Sequence, residues 1–451
     1  MAGHNDRRYY TEPKPLPSPN KQRYTEQKLF LNSKKLIGLN PFVDIPRKVY
    51  WRTEITPFTK AFVDYAFMKE DNKDVDIYSD LELCEKVFMK KIDKMIDTNK
   101  IDSAHWWLYE LYKRTQILSP IRSTPLAMKL AEIEKGNPFE KLDRGLAKIM
   151  LTFAYGSVDM QLRFTSHLER RLAENKKEIG NTEMADEKLM NKYKEIKKEL
   201  DDWANNVLCK TMLRTGEIKR IYSEELDHPI DPKDSKFRYR YKSGRYIITL
   251  DPLDGSGNIK TRNIFGSILG VYEDNEPKSG RELKAAAIIL YGPVFSFIYS
   301  TGDGVHELVK NYGNRGFSQF EQMADGQNIK IPQKPSLVIP GGNTSWSPEF
   351  SEFVVKEFLP NYKIRCSGAA VMEIASLLRE GGIFFYPAPK LRLLYEGIPL
   401  SFLVEQAGGK SYDGKLGSLL DTPIANMDQV TSLYVGNEGL IEKVKLYYSS
   451  A

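Results

Sequence analysis

Past Gly216 the chain changes character, and that change limits the folds open to it. Short β-branched or aromatic runs (IKRIY, RYIITL, FGSILGVY, AAAIIL, VFSFIY and GGIFFYP) are separated by Gly, Pro and Asp turns and by helical patterns such as AAVMEIASLLRE and PLSFLVEQA. This alternation predicts a layered α/β (α+β) domain. The longest apolar stretch, AAAIILYGPVFSFIYS from Ala285 to Ser300, is split by Gly292-Pro293 and is too short for a membrane span. It predicts two strands meeting at a turn, and no transmembrane segment is expected.

Upstream the pattern is different. Residues 1–50 are Pro-rich and weakly periodic, as expected of an extended arm. They carry 10 Lys or Arg against 4 Asp or Glu, so they hold the whole formal net charge of +6, while the other 401 residues balance at 56 against 56. The arm has no RGG or Lys-rich block, so nucleic acid is not an expected partner. From Phe58 to Gly156 apolar residues recur at helical spacing, as in DLELCEKVFMKKIDKMI and SAHWWLYELYKRTQIL. Trp106 and Trp107 read there as core or interface anchors. From His167 to Met212 the chain is charged and helix-prone, with a polar break at GNTEMAD. The organisation expected is a basic, Pro-rich arm at 1–50, a helical extension at 51–130 and the layered domain at 131–451.

Charge at 28%, with 31 Gly and 24 Pro, excludes a wholly disordered, collagenous or repeat protein. The three cysteines, Cys84, Cys209 and Cys366, form no CxxC pair, which argues against a disulfide framework or a zinc site and for a reducing compartment. The start MAGHNDRRYYTEPKPLPSP lacks an apolar h-region and carries Asp6 and Glu12, so no secretory signal is expected. The cytoplasm is the default location, with mitochondria as the alternative.

The chemistry sits in YIITLDPLDGSGNI. A buried-looking strand delivers Asp251 at its end, Asp254 follows, and Gly255-Ser256-Gly257 makes a turn. Two carboxylates three residues apart can share a cation, and the N–H groups of such a turn can point at an anion. A second acidic pair, Glu224-Glu225 in IYSEELDHPI, follows another β-like run, and KLRLLYEGIPL sets Glu396 just before a helix, with Lys390 and Arg392 close by. Each element alone has a plain structural reading, as an Asx turn, a solvated loop and one helix face. Gathered by a fold, the carboxylates would repel strongly, and a hard divalent cation is the natural counter-charge. Carboxylates beside a phosphate nest and basic residues point to metal-assisted phosphate ester hydrolysis, with Mg²⁺ as the cation.

From Lys197 to Gly439 the sequence resembles class I fructose-1,6-bisphosphatase, within the wider inositol monophosphatase-like superfamily. DPLDGSGNI with an upstream SEE is the superfamily's type of metal motif. LRLLYE followed by a helix ending in EQAGG marks the bisphosphatase branch, and the spacing from Asp201 in KKELDDWANN to Glu224 fits without a gap. The resemblance implies a sandwich of sheets and helices. It also implies a phosphoric monoester hydrolase of carbohydrate metabolism (gluconeogenesis), with two or more Mg²⁺, or Mn²⁺, per site. Metal ligation would fall to Glu224, Glu225, Asp251, Asp254, Glu396 and the backbone carbonyl of Leu253, and Asp201 and Glu225 would activate the attacking water. Backbone groups of Gly255 and Ser256 would hold the reacting 1-phosphate, while Tyr386, Lys390 and Arg365 would grip the distal phosphate. Arg365 would come from a neighbouring subunit, so self-association is expected. The implied reaction is in-line attack of a metal-bound hydroxide on phosphorus.

The sugar side departs from the family pattern. Cys366 replaces a phosphate-binding tyrosine, Ala370 replaces a methionine, SLVIPGGNTSW lacks an Asn and Tyr pair, and residues are missing between Pro389 and Lys390. Near the metal loop Gly257 replaces a serine and Lys260 an aspartate. Arg245-Tyr246 resemble a Lys-Tyr pair that contacts the inhibitor AMP, but the matching Thr-Gly-Glu-Leu loop is missing, so an altered or absent allosteric site is expected. None of His4, His105, His167, His228 and His306 is expected to bind metal. Two functions are open: an active, metal-dependent bisphosphatase acting on a sugar bisphosphate, or a bisphosphatase-fold subunit of a larger assembly. In either case the N-terminal arm would bind other protein subunits.

Overall fold

Strand β2 (Tyr246–Asp254) has all nine residues buried. Such continuous burial arises when both faces of a strand are covered, here by helices. The computed structural model describes residues 142–179, 186–213, 215–232, 243–310, 320–322, 327–342, 345–415 and 417–450. The arm at 1–50, the helical stretch at 51–130, and Trp106 and Trp107 lie outside the described residues.

Two long helices, α1 (Arg144–Ile179) and α2 (Asp186–Leu213), open the described chain. A seven-stranded sheet follows in sequential order: β1 (Ile218–Ser223), β2, β3 (Phe265–Glu273), β4 (Ala285–Tyr291), β5 (Ser296–Ser300), β6 (His306–Lys310) and β7 (Phe320–Gln322). β1 pairs parallel with β2, and every later pair is antiparallel. The second sheet has the order β11-β12-β10-β8-β9, from β8 (Leu337–Pro340), β9 (Lys363–Ile364), β10 (Gly382–Arg392), β11 (Lys410–Tyr412) and β12 (Val430–Gly436). The remaining helices are α3 (Pro348–Glu357), α4 (Ala370–Glu380), α5 (Ile398–Gln406) and α6 (Glu438–Ser450).

Packing stacks these elements in layers. α1 and α2 cover one face of the first sheet, where the Phe153 and Phe297 rings sit 6.4 Å apart and those of Phe164 and Phe265 4.7 Å apart. One apolar cluster joins the other face, through Ile288 and Ile298, to α4 and α5, through Ile374 and Leu403, and on to Leu433 and Val435 of the second sheet. A second cluster packs Phe350 of α3 and Ile441 of α6 against Phe385 and Tyr434 on the outer face of that sheet. The expected sandwich of sheets and helices is what the chain forms. No helix among the described residues is long and apolar enough to cross a membrane.

The sequence reading is confirmed at Ala285–Ser300, where β4 and β5 pair antiparallel across the Gly292-Pro293 turn. It needs correction at Gly156, which does not end a helical stretch: α1 runs through it for 36 residues. A Cβ at Gly156 would lie 3.0 Å from Thr211 Cγ2, so the glycine serves the close approach of α1 and α2. Side-chain contact with α2 outweighs a low local helix preference.

Candidate metal and phosphate site

Asp251 does not end its strand, because β2 continues to Asp254. In a regular strand residues three apart face opposite sides. Here three steps along β2, from Asp251 to Asp254, advance against two along β3, from Ile268 to Gly266. The bulge contains Pro252, which has no N–H to give the ladder, and it brings both carboxylates to one side. The Pro252 carbonyl accepts a hydrogen bond from the Ser267 hydroxyl at 2.6 Å, and Asp251 Oδ1 accepts one from the Leu253 amide at 3.0 Å.

Glu396 arrives from the other sheet. It sits in a π-helical turn, Leu393–Gly397, that joins β10 to α5 and is buried throughout. Its Oε2 accepts from the Arg392 amide at 2.7 Å. Oxygens of Asp251, Asp254 and Glu396 lie within 4.8 Å of one another, and all three residues are buried. Glu224 lies beside them: its amide donates to the Leu250 carbonyl, next to Asp251, at 3.0 Å.

The electrostatics follow from that crowding. Burial, then repulsion from Glu224, Asp254 and Glu396, pushes the Asp251 carboxyl well above the usual carboxylate range. Burial and the charges of Glu224 and Asp254 do the same to Glu396. Asp254 is pushed up to about 6 by burial, against the opposing amides of Val371 and Ala370. Glu224 is raised by burial, against the Arg392 guanidinium.

Asp201 and Glu225 form a second acidic group. Asp201, on α2, is pushed up to about 7 by burial and by the charge of Glu225, while Lys197 and a hydrogen bond from Ser256 pull the other way. Its Oδ1 is buried without a hydrogen-bond partner. Glu225 is raised by burial and by Glu224 and Asp202, against Lys197 and Lys198. The acids thus divide into Glu224, Asp251, Asp254 and Glu396 on one side and Asp201 with Glu225 on the other. An all-oxygen donor set with mutual repulsion and an orphaned buried oxygen suits hard divalent cations.

The turn after Asp254 is built for close approach. Gly255 has φ +74°, and a Cβ there would lie 2.3 Å from the Ala369 Cβ. Asn258 pins the turn, donating to the carbonyls of Ile264 at 2.7 Å and Ser367 at 2.9 Å.

On the sugar side the structure does not bring all the expected residues together. Tyr386 is half-buried, with its ring on the backbone of Gly341 and Gly342. Lys390 is exposed on an unpaired bulge of β10, Pro387–Lys390, where the register against β12 breaks between Tyr386 and Leu391. Arg365 pairs with Glu380 at 2.8 Å, at the C-terminal end of α4. Asp254 holds the Val371 amide at the N-terminal end of that helix, nine residues or about 14 Å from Glu380 along its axis. Within one chain, Arg365 therefore stays apart from the acidic site. Cys366 is exposed, and Ala370 is the first residue of α4.

Arg245 and Tyr246 converge on one carboxylate. Asp143 Oδ1 accepts from the Tyr246 hydroxyl at 2.6 Å, from Arg245 Nη2 at 2.7 Å and from the Gly145 amide at 2.9 Å, where it caps α1. The pair is satisfied inside the chain. Of the histidines, His228 is exposed and His306 accepts from the Asn328 amide at 3.2 Å. His4 and His105 lie outside the described residues.

Sequence reasoning noted Arg392 only as a neighbour of Glu396, and it missed two further supporting residues, Lys197 and Asn205. Lys197 and Arg392 are the cations that oppose the acids' raised pKa values; Lys197 precedes Asp201 by four residues on α2, a spacing that was readable as one helical face. Asn205 had no such signal. Its Oδ1 accepts from the Ser223 hydroxyl at 2.8 Å and Cys209 Sγ at 3.0 Å, which fastens α2 to the strand end before Glu224.

Comparison with known proteins gives the family of the chain. Residues 152–319 match the family described as "Fructose-1-6-bisphosphatase, N-terminal domain", and residues 331–449 match its C-terminal domain. The class 1 fructose-1,6-bisphosphatase of Natronomonas pharaonis is 34% identical over 255 residues, which cover 55% of this chain and 84% of the relative. That of Nostoc punctiforme is 34% identical over 270 residues, covering 55% and 74%. The Leishmania major fructose-1,6-bisphosphatase in its holo form superposes with a TM-score of 0.56 at 24% identity, over 69% of this chain and 97% of that one, which is a likeness of fold. The chain belongs to the class 1 fructose-1,6-bisphosphatase family.

Proposed function

We propose that this chain hydrolyses the 1-phosphate of fructose-1,6-bisphosphate, as the names of its relatives suggest. The observation that carries the reading is the convergence of Asp251, Asp254 and Glu396 within 4.8 Å, next to the Gly255-Ser256 turn. The family has a divalent-metal requirement, and Glu224, Glu225, Asp251, Asp254, Glu396 and the Leu253 carbonyl would hold the ions. Hard oxygen donors favour Mg²⁺, with Mn²⁺ as a substitute. When bound, the ions supply Lewis-acid charge to the phosphoryl and leaving oxygens.

The chain's own residues supply the rest. The Gly255 and Ser256 backbone holds the phosphoryl group, and the αL conformation of Gly255 keeps that backbone free of a side chain. Asp201, with a carboxyl near neutrality, takes the proton of the attacking water with Glu225 beside it, and attack proceeds in line with the sugar oxygen that leaves. Tyr386 and Lys390 receive the distal phosphate. Arg365 joins them from a second copy of the chain, a reading supported by its exposed position far from its own acidic site. The enzyme is therefore a self-associating one, in a reducing compartment with the cytoplasm as the default. The 131–451 region is the catalytic domain, and the arm holds other protein subunits.

The test is phosphate release from fructose-1,6-bisphosphate with and without Mg²⁺, with the Asp251→Asn, Glu396→Gln double variant as the blank. Metal-dependent release that the double variant lacks is the expected result. Folded protein with no release above the blank would overturn the reading and favour a structural subunit.

A further inference from the structure

The Gly255-Ser256 turn has a second neighbour besides the acids. A cavity of about 230 Å³ lies where α1, α2 and the residues after Asp254 meet. Its lining includes four cations, Lys194, Lys197, Lys260 and Arg262, and no carboxylate. Three of its apolar lining residues, Ile196, Leu200 and Ile259, are buried. A low-dielectric floor strengthens the attraction of such cations for an anion.

A backbone feature points the same way. Arg262 has φ +58°, a left-handed conformation that residues with a Cβ avoid. It is held there by its amide, which donates to the Ile259 carbonyl at 3.2 Å, and by the Asn263 amide, which donates to the Asn258 carbonyl at 3.1 Å. Strain of this kind collects at ligand sites.

We propose that this cavity is an anion site that receives inorganic phosphate as it leaves the Gly255-Ser256 turn. Ser256 and Gly257 form part of its wall, so the turn is common to both places. On the acidic side, Glu224, Asp251, Asp254 and Glu396 repel a departing phosphate dianion. On the cavity side, four positive charges attract it. The volume is below the roughly 300 Å³ at which pockets for drug-sized ligands begin, which suits a small ion. Naming the ion as the product rests on the phosphatase reading; the anion site itself does not.

The test uses the full chain in excess chelator, with inorganic phosphate titrated in by calorimetry. Without metal the carboxylate cluster repels phosphate, so binding reports the cavity. One phosphate per chain is expected, with affinity falling as salt rises. The Lys260→Ala, Arg262→Ala double variant should bind at least tenfold more weakly, and Lys194→Ala should also bind more weakly. Glycerol phosphate should bind less tightly than inorganic phosphate.

Absence of phosphate binding in chelator overturns the proposal. So does parental affinity in the double variant with an unchanged melting curve, and if that variant does not fold, parental affinity in Lys194→Ala has the same force. Glycerol phosphate binding tighter than phosphate overturns the product assignment. A chain with no turnover that still binds phosphate in chelator overturns the phosphatase reading and leaves the anion site standing.

Discussion

The carboxylate of Asp254 accepts a hydrogen bond from the backbone amide of Val371, 2.8 Å away and 117 residues further along the chain. Ala369, at the N-cap of α4, has no side chain that can cap, so Asp254 supplies the missing acceptor from β2. One residue thus closes the first turn of a helix and faces Asp251 and Glu396. The fold and the acidic site are fastened at the same atom group.

These two duties separate by substitution. Asp254→Ala removes the acceptor and should cost about 1 kcal/mol in denaturant unfolding of the metal-free protein. Asp254→Asn keeps an acceptor and loses a repelling charge, so at pH 8 it should be at least as stable as the parent. Both variants should lose metal-dependent turnover. An Asn variant less stable than the Ala variant would contradict the capping role.

In the metal-free protein, Asp254 at about 6 and Asp201 at about 7 both lie above their ordinary value of 3.8. A carboxyl that binds its proton more tightly when folded favours the fold at low pH, and that contribution is lost as pH rises through the folded value. Melting temperature in chelator should therefore fall between about pH 4 and pH 7. Added Mg²⁺ should raise it more at pH 8 than at pH 5, because cation and protons compete for the same oxygens. Equal Mg²⁺ shifts at both values would refute the assignment.

Asp201 stands apart from the four carboxylates clustered around Asp251. Asp201→Asn should lower kcat by about 10²- to 10⁴-fold, the usual range for losing a general base, with little change in the Mg²⁺ concentration needed for half-activity. A large shift in that concentration with kcat preserved would make Asp201 a metal residue instead.

A Cβ at Gly255 would collide with Ala369, and the positive φ strains any other residue. Gly255→Ala should destabilise the protein by about 1–3 kcal/mol and depress turnover, as measured by thermal melting and phosphate release. A variant with parental melting and rate would show that the turn does not need its close packing.

Asp143 already occupies Arg245 and Tyr246, and those partners hold its carboxyl down at about 2. A nucleotide phosphate would have to displace a helix-capping carboxylate. AMP should leave the rate of the parent protein unchanged. Inhibition by AMP at micromolar concentration would show that the displacement is easy.

The sequence by itself determined the alternating layers, the strand pair at Ala285–Ser300 and the identity of the acids. Those features are local: periodicity reports burial, and Gly and Pro report turns. Only the tertiary structure decided how the acids divide, because the bulge at Pro252 and the π-turn at Glu396 are set by what β3 and β10 allow. It also decided that α1 passes through Gly156, and that Arg365 belongs to the Glu380 end of α4. Each depends on contacts between residues far apart in the chain, where packing and charge outweigh local preference.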